Sequence, residues 1–276
     1  MNKYVDKFVI TEATYMHNGK PKKLNFDIKK YSKFKDKILY IVVNKQPPDL
    51  LEIYDSDKNK NDRKGQKLVL NGYKRDNYQR QMASQALKNI EPEDWIIIND
   101  IDEIPNLENI NLKEMKNKII IFKQKMFYYK FNLLYPEMPW YGSKACKRKD
   151  FITPQWLRDL KHKKYPFWRI DMLLSKKKYN NIFHINNGGW HFTNIKTPEN
   201  IKKKLLNYTH HYEFEQSGLS IEDLKKKVSE KKIIYDHGVD QRQSKWNSDK
   251  TLTKTNLDDM PKYLRENYNK YSNWLE

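Results

Sequence analysis

Apolar and polar positions fall into blocks along this chain, and the sharpest change of block lies between 95 and 105. Trp95 and three isoleucines run without a polar break; Asn99, Asp100, Asp102 and Glu103 then follow, and Pro105 closes the stretch. An unbroken apolar run of this kind predicts a strand buried on both faces, with the acids at its C-terminal end. Ahead of it, 5–13 has the pattern of a strand ending near Glu12, and His17-Asn18-Gly19-Lys20-Pro21 that of a turn. A short helix is predicted over 28–34 and a second buried strand over 37–43. The stretch 46–66 carries Pro47-Pro48 and a run of Asp, Lys and Asn without period, which predicts a surface loop. Over 73–90, Tyr78, Met82, Ala86 and Ile90 share one helical face, with Gln79 and Arg80 on or beside it. Strand and helix alternating in this way predict βαβ units and an α/β fold with a mostly parallel central sheet flanked by helices.

After Pro105 a short helix is predicted, then one or two strands over 118–135. Trp140, Tyr141, Trp156, Trp168 and Trp190 follow. Aromatic faces pack on sugar rings, but most tryptophans serve as core. A strand over 181–185 leads to Gly188-Gly189-Trp190-His191-Phe192, where two glycines permit a tight turn that presents His191. Helices are predicted over 198–214, with Thr197 as N-cap, and over 219–232 after Ser220. A polar loop over 236–242 holds Asp240 and Arg242, and a largely helical segment over 259–275 closes the chain. There is no internal repeat and no clear linker, so the pattern predicts one domain over 1–276.

Composition changes this picture in two respects. The formal net charge is +19, from 54 Lys plus Arg against 35 Asp plus Glu, with a mean hydropathy of −1.00. The excess is nearly all lysine spread along the chain, which points to a compositional bias rather than a nucleic-acid footprint. No zinc-finger spacing, helix-turn-helix or RNA-binding aromatic signature appears, so no specific nucleic-acid partner is expected. An anionic sugar nucleotide or an anionic membrane surface would be served by the same charge. Second, Cys146 is the only cysteine, so no disulfide framework exists. No apolar run is long enough to cross a bilayer and no signal-peptide pattern opens the chain. A cytoplasmic place, or one peripheral to a membrane, is the expectation.

The candidate chemistry sits at the acidic end of the 96–98 run. Asp-x-Asp is common by chance. Leaving a strand, however, Asp100 and Asp102 can aim oxygens at one point, and two like charges that close repel unless a cation lies between them. Hard oxygen ligands suit Mg²⁺ or Mn²⁺, and such an ion can hold a diphosphate. The structural alternative is a solvated acidic turn.

Several pieces together resemble glycosyltransferase family 17, the family of β-1,4-mannosyl-glycoprotein β-1,4-N-acetylglucosaminyltransferase. They are Glu12-Ala13-Thr14-Tyr15 with His17-x-Gly19-Lys20-Pro21-Lys22, then Gln79-Arg80 and Asp100-Ile101-Asp102-Glu103-Ile104-Pro105. Gly189-Trp190-His191-Phe192-Thr193, Lys204-Leu205, His211-x-Glu213-Phe214, Gly238-Val239-Asp240 with Arg242, and Met260-Pro261-x-Tyr263-Leu264 follow in family order. The resemblance implies a GT-A-like nucleotide-sugar-binding fold, here without the strand that usually opens its sheet, with 1–105 as the nucleotide-binding half and 106–276 as the acceptor-side half. It also implies a UDP-N-acetylglucosamine donor, a glycan or glycoprotein acceptor joined by β-1,4 linkage to mannose, Mn²⁺ or Mg²⁺, and inversion at the anomeric carbon. Glu12, Arg80, Asp100 and His191 are then the donor-binding candidates and Asp100 and Asp102 the metal ligands. An inverting transfer also needs a carboxylate to take the acceptor proton, and Glu103, Glu213 and Asp240 all remain candidates. Two other classes stay open: a haloacid-dehalogenase-like phosphatase, which also places Asp-x-Asp at a strand end, and an inactive module that binds polyanions or membrane surfaces.

Overall fold

The computed structural model describes residues 1–59, 63–108, 110–163, 165–166, 168–172, 174–236, 238, 245–246 and 248–276. The chain opens with two strands, β1 (Phe8–Ala13) and β2 (Ile38–Val43), paired parallel in a small sheet of their own. A 3₁₀ segment, Ile28–Lys37, joins them and is N-capped by Asp27, whose carboxylate accepts from Lys29 N at 3.0 Å. Helix α1 (Arg63–Gln81) follows and tightens into 3₁₀ over Met82–Asn89. It begins at Arg63, within the last four residues of the 46–66 stretch whose pattern predicts a loop. Lysines and asparagines hid the start, and α1 packs on the sheet and on later helices through small or polar residues: Gly65, Asn71 and Gly72 are its buried members.

Then come β3 (Trp95–Ile98), β4 (Glu103–Pro105), β5 (Ile119–Phe122), β6 (Gln124–Tyr128), β7 (Leu133–Trp140) and β8 (Lys144–Lys147). Helix α2 (Pro154–Asp159), β9 (Ile182–Ile185) and β10 (Gly189–Thr193) follow. The chain ends with α3 (Pro198–Leu205), α4 (His211–Gln216), α5 (Ile221–Ser229), β11 (Thr253–Lys254) and α6 (Lys262–Glu266). Among the described residues β3, β8, β5 and β9 form one sheet in that order, and β11, β7, β6, β10 and β4 a second.

The fold is therefore mixed α/β, and the expectation of a mostly parallel sheet is corrected. Parallel pairs occur at β1–β2, β5–β9 and β6–β10, but β3–β8, β5–β8, β6–β7, β4–β10 and β7–β11 are antiparallel. β6 and β7 are joined by 129–132 alone, and a connection that short forces the two strands to run antiparallel. A second correction concerns β3. It is an edge strand with only Ile96 buried. The strand covered on both faces is β5, whose Ile119, Ile120, Ile121 and Phe122 are all fully buried.

The two sheets share a seam. β5 passes into β6 through Lys123 alone, β7 into β8 through 141–143, and β9 into β10 through 186–188, so each pair acts as one bent strand. Neighbours are kept across the bend: β5 lies beside β8 and β9, and β6 beside β7 and β10. The third-to-fourth strand connection breaks this rule. β3 borders β8 on one side of the seam, whereas β4 borders β10 on the other. The chain at 99–102 must therefore cross over the seam. A change of strand order of this kind opens a crevice at strand ends, where α/β sheets bind ligands.

Candidate active site

The crossing explains the glycines around it. A Cβ on Gly142 would lie 1.9 Å from Glu103 Oε1, and one on Gly189, at φ +120°, would lie 2.1 Å from Ile104 O. Both positions need the bare backbone because the acidic turn and β4 press directly on them. The turn itself is tied down. Asn99 Nδ2 donates to the carbonyls of Asp100 (3.0 Å) and Glu103 (3.2 Å), Glu103 N to Asp100 O (3.0 Å), and Phe192 N to Asp102 O (2.8 Å).

Each acid in the turn has a different neighbourhood. The Glu103 side chain is 0% exposed. It accepts from both terminal nitrogens of Arg158 (2.7 and 2.6 Å), from Trp140 Nε1 (2.6 Å), from Ser143 Oγ (3.4 Å) and from Asp100 N (3.0 Å). A carboxylate so enclosed has no lone pair left for an acceptor hydroxyl. Asp100 Oδ2 accepts from Arg158 Nη2 at 2.6 Å and Oδ1 from Arg80 Nη2 at 3.2 Å. Arg80 also holds Asp76 one turn back along α1, at 3.0 Å, and bonds Gln155.

Asp102 turns the other way. Its Oδ1 is 3.5 Å from His191 Nε2. Burial raises its pKa, but the His191 hydrogen bond and the charges of His191 and Lys204 outweigh burial and hold the carboxyl below its usual range. Lys204 comes from the last turn of α3, whose N-cap is Thr197 as predicted. It is largely enclosed and donates to Asn194 Oδ1 at 3.0 Å. Asn194 is held at φ 54°, a conformation Asn tolerates better than most residues. Burial and nearby Lys196 hold the pKa of this ammonium below its usual value, and Asp102 and Asp100 offset only part of that. His191 does not sit on a glycine turn: it is a buried residue of β10, opposite Glu103, and stacks on Trp140 with centroids 4.5 Å apart. Its Nδ1 is buried without a hydrogen-bond partner.

The remaining candidates lie farther out. Glu12 is a structural clamp, accepting from Lys22 Nζ (2.6 Å), Asn25 N (2.7 Å), Phe26 N (3.0 Å) and Tyr40 OH (2.9 Å). Burial opposes its charge, but these four donors win and bring its pKa down to about 2. Glu213, on α4, accepts from His210 Nδ1 at 3.0 Å, and His210 Nε2 meets Tyr73 OH at 3.0 Å. Its side chain is 41% exposed. Tyr73 and Arg80 are seven residues apart on α1, about 10 Å along the axis, so Glu213 flanks the acidic turn without touching it. Asp240 and Arg242 lie outside the described residues.

Sequence reasoning missed Arg158 and Lys204 as site residues. Arg158 had no local signal: it is one cation on a six-residue helix, 55 positions from Glu103. What sets it in place is Lys144, whose buried Nζ donates to Arg158 O and Leu160 O and so caps the C-terminal end of α2. Lys204 was noticed only as part of a resemblance.

The fold is mixed α/β and crosses its own strand order at a loop of carboxylates, where an imidazole, an ammonium and two guanidiniums come together. The sequence model of glycosyltransferase family 17 matches residues 1–153, more than half of the chain, and the chain belongs to that family. It is thus a glycosyltransferase, a class of enzyme that moves sugar from a nucleotide-sugar donor to a glycan acceptor. No curated protein and no solved structure matches the chain. Among the described residues no helix is long and apolar enough to cross a membrane, and no three His, Cys, Asp or Glu side chains gather as a metal cage.

Proposed function

We propose that the protein is a metal-dependent inverting transferase that moves N-acetylglucosamine from UDP-N-acetylglucosamine to a glycan, with β-1,4 linkage to mannose as the family resemblance implies, on a GT-A-like fold. The observation that carries this reading is the gathering of Asp102, His191 and Lys204 at the point where the strand order switches. Leaving UDP gains negative charge as the sugar–phosphate bond breaks, and preorganised positive groups in a half-dry cleft stabilise that charge.

A divalent ion fits what is there. Mg²⁺-type ions are bound by one or two protein ligands plus substrate phosphates rather than by full protein cages. Asp102 offers a carboxylate kept ionised, and His191 faces it with Nε2, 3.5 Å from Oδ1. These two would hold the ion, which when bound supplies charge neutralisation for the diphosphate. Asp100, expected as a second ligand, is engaged by two guanidiniums. Its role in this reading is to fix Arg80 and Arg158 at the rim, where Arg80 has nitrogens that can turn to a phosphate. Lys204 supplies a further charge-assisted hydrogen bond to the diphosphate.

Glu103 positions the turn and does not take a proton. Of the described candidates, only Glu213 keeps an exposed carboxylate, which makes it the base in this reading, with His210 orienting it.

The test is UDP release from UDP-N-acetylglucosamine with Mn²⁺, with water standing in for the acceptor. The wild type should release UDP. Lys204→Gln should lower the rate by about 100-fold, the cost of one transition-state donor, with its melting temperature held within a few degrees. A wild type that leaves the donor intact, or a Lys204→Gln variant as fast as the wild type, contradicts the assignment.

A further inference from the structure

Between α2 and β9 the chain forms a loop with a tied neck and an apolar tip. Lys161 N donates to Lys177 O at 3.0 Å and Trp156 Nε1 to Lys176 O at 2.5 Å, so the two ends lie side by side. Compact surface loops closed in this way are often functional. Ion pairs stiffen the interior: Asp171 accepts from Arg169 Nε and Nη2, both at 2.9 Å, and from Lys178 Nζ at 2.7 Å, while Arg169 lies over the Tyr165 ring. On this frame Trp168 is 69% exposed, Ile170 75% and Leu174 88%. Around them the sequence from Lys161 to Lys178 holds seven Lys or Arg against a single Asp. That one acid, Asp171, is already engaged by Arg169 and Lys178.

Large apolar side chains at such exposure mark a contact surface. Its occupant must be apolar within and anionic at its boundary. A nucleic acid would satisfy the lysines and leave the apolar tip in water. An apolar protein face would cover the tip and strand the lysines. An anionic bilayer answers both: aromatic and aliphatic side chains enter the boundary between headgroups and acyl chains, and lysines meet the lipid phosphates. We propose that the 161–178 loop docks this protein on anionic lipid surfaces. Arg158, which grips the acidic turn, lies three residues before the loop, at most about 10 Å of chain away.

Co-sedimentation with vesicles tests this. One set is phosphatidylcholine alone and the other carries roughly one-third phosphatidylglycerol, an anionic surface that attracts basic segments. The wild type should bind the anionic vesicles at physiological salt and the neutral ones at least about tenfold more weakly. The combined variant Trp168→Ser, Ile170→Ser, Leu174→Ser should lose about tenfold or more in vesicle binding. Its heparin binding and melting temperature should stay unchanged, because the three side chains bury little. Should that variant fold poorly, Lys161→Gln with Lys163→Gln and Lys176→Gln should weaken anionic-vesicle binding with the apolar tip intact. A wild type that ignores anionic vesicles overturns the proposal. So does an apolar variant that binds vesicles as well as the wild type, since the +19 of the whole chain would then be the cause.

Discussion

At the scale of single residues, the site depends on which carboxylates are spoken for. Glu103 is buried against Arg158, and removing one partner of a buried ion pair strands the other. Arg158→Met should therefore cost about 3–5 kcal/mol by chemical denaturation. Adding Glu103→Gln should recover a large part of that, because the uncompensated charge is gone. Glu12 gives a pH signature. Its folded pKa, about 2, lies below the ordinary value, so its stabilisation is complete above the ordinary carboxylate pKa and is lost as pH falls toward 2. Glu12→Gln should cost roughly 2–3 kcal/mol at neutral pH, and the gap to wild type should close between pH 4 and about 2. Asp100, Asp102 and Glu103 were legible in the sequence because an apolar run ended abruptly in acid. Their division of labour was not, since Arg158, His191 and Lys204 reach them from 55 or more positions downstream.

At the scale of elements, local chemistry was read well and pairing was not. Thr197 caps α3 and Ser220 forms a capping box with Asp223 on α5, as their positions predicted, because a cap is decided within four residues. The helix expected over 198–214 is instead two, α3 and α4, broken at 206–210. The isoleucine run at 96–98 predicts a strand buried on both faces, yet β5 is the strand so covered. An apolar run does not record who its neighbours are. The glycine at 142 carried no signal at all, and its reason is tertiary: the acidic turn crosses the seam against it. Gly142→Ala should force Glu103 and Trp140 apart. We expect a loss of about 3 kcal/mol or more, in the range reserved for disrupted buried networks, together with a near-ultraviolet circular dichroism change from the displaced Trp140.

At the scale of the whole molecule, the sequence made the α/β class and the family legible, while the seam between two mixed sheets appears only in three dimensions. The net charge of +19 attracts an anionic donor to the molecule, and such steering weakens with salt. Donor binding should accordingly fall as ionic strength rises, whereas the dependence on Asp102 should persist at any salt. In the proposed reading the crossing at 99–102 is a diphosphate site. Calorimetric titration of UDP-N-acetylglucosamine into wild type and Asp102→Asn, each with and without Mn²⁺, tests it most directly. The wild type should bind the donor, and about tenfold or more weakly without the ion. The Asp102→Asn variant should stay folded, giving up only the stability that the carboxylate draws from His191 and Lys204, and should give no ion-dependent heat. An Asp102→Asn variant that binds the donor with Mn²⁺ as tightly as the wild type would contradict it.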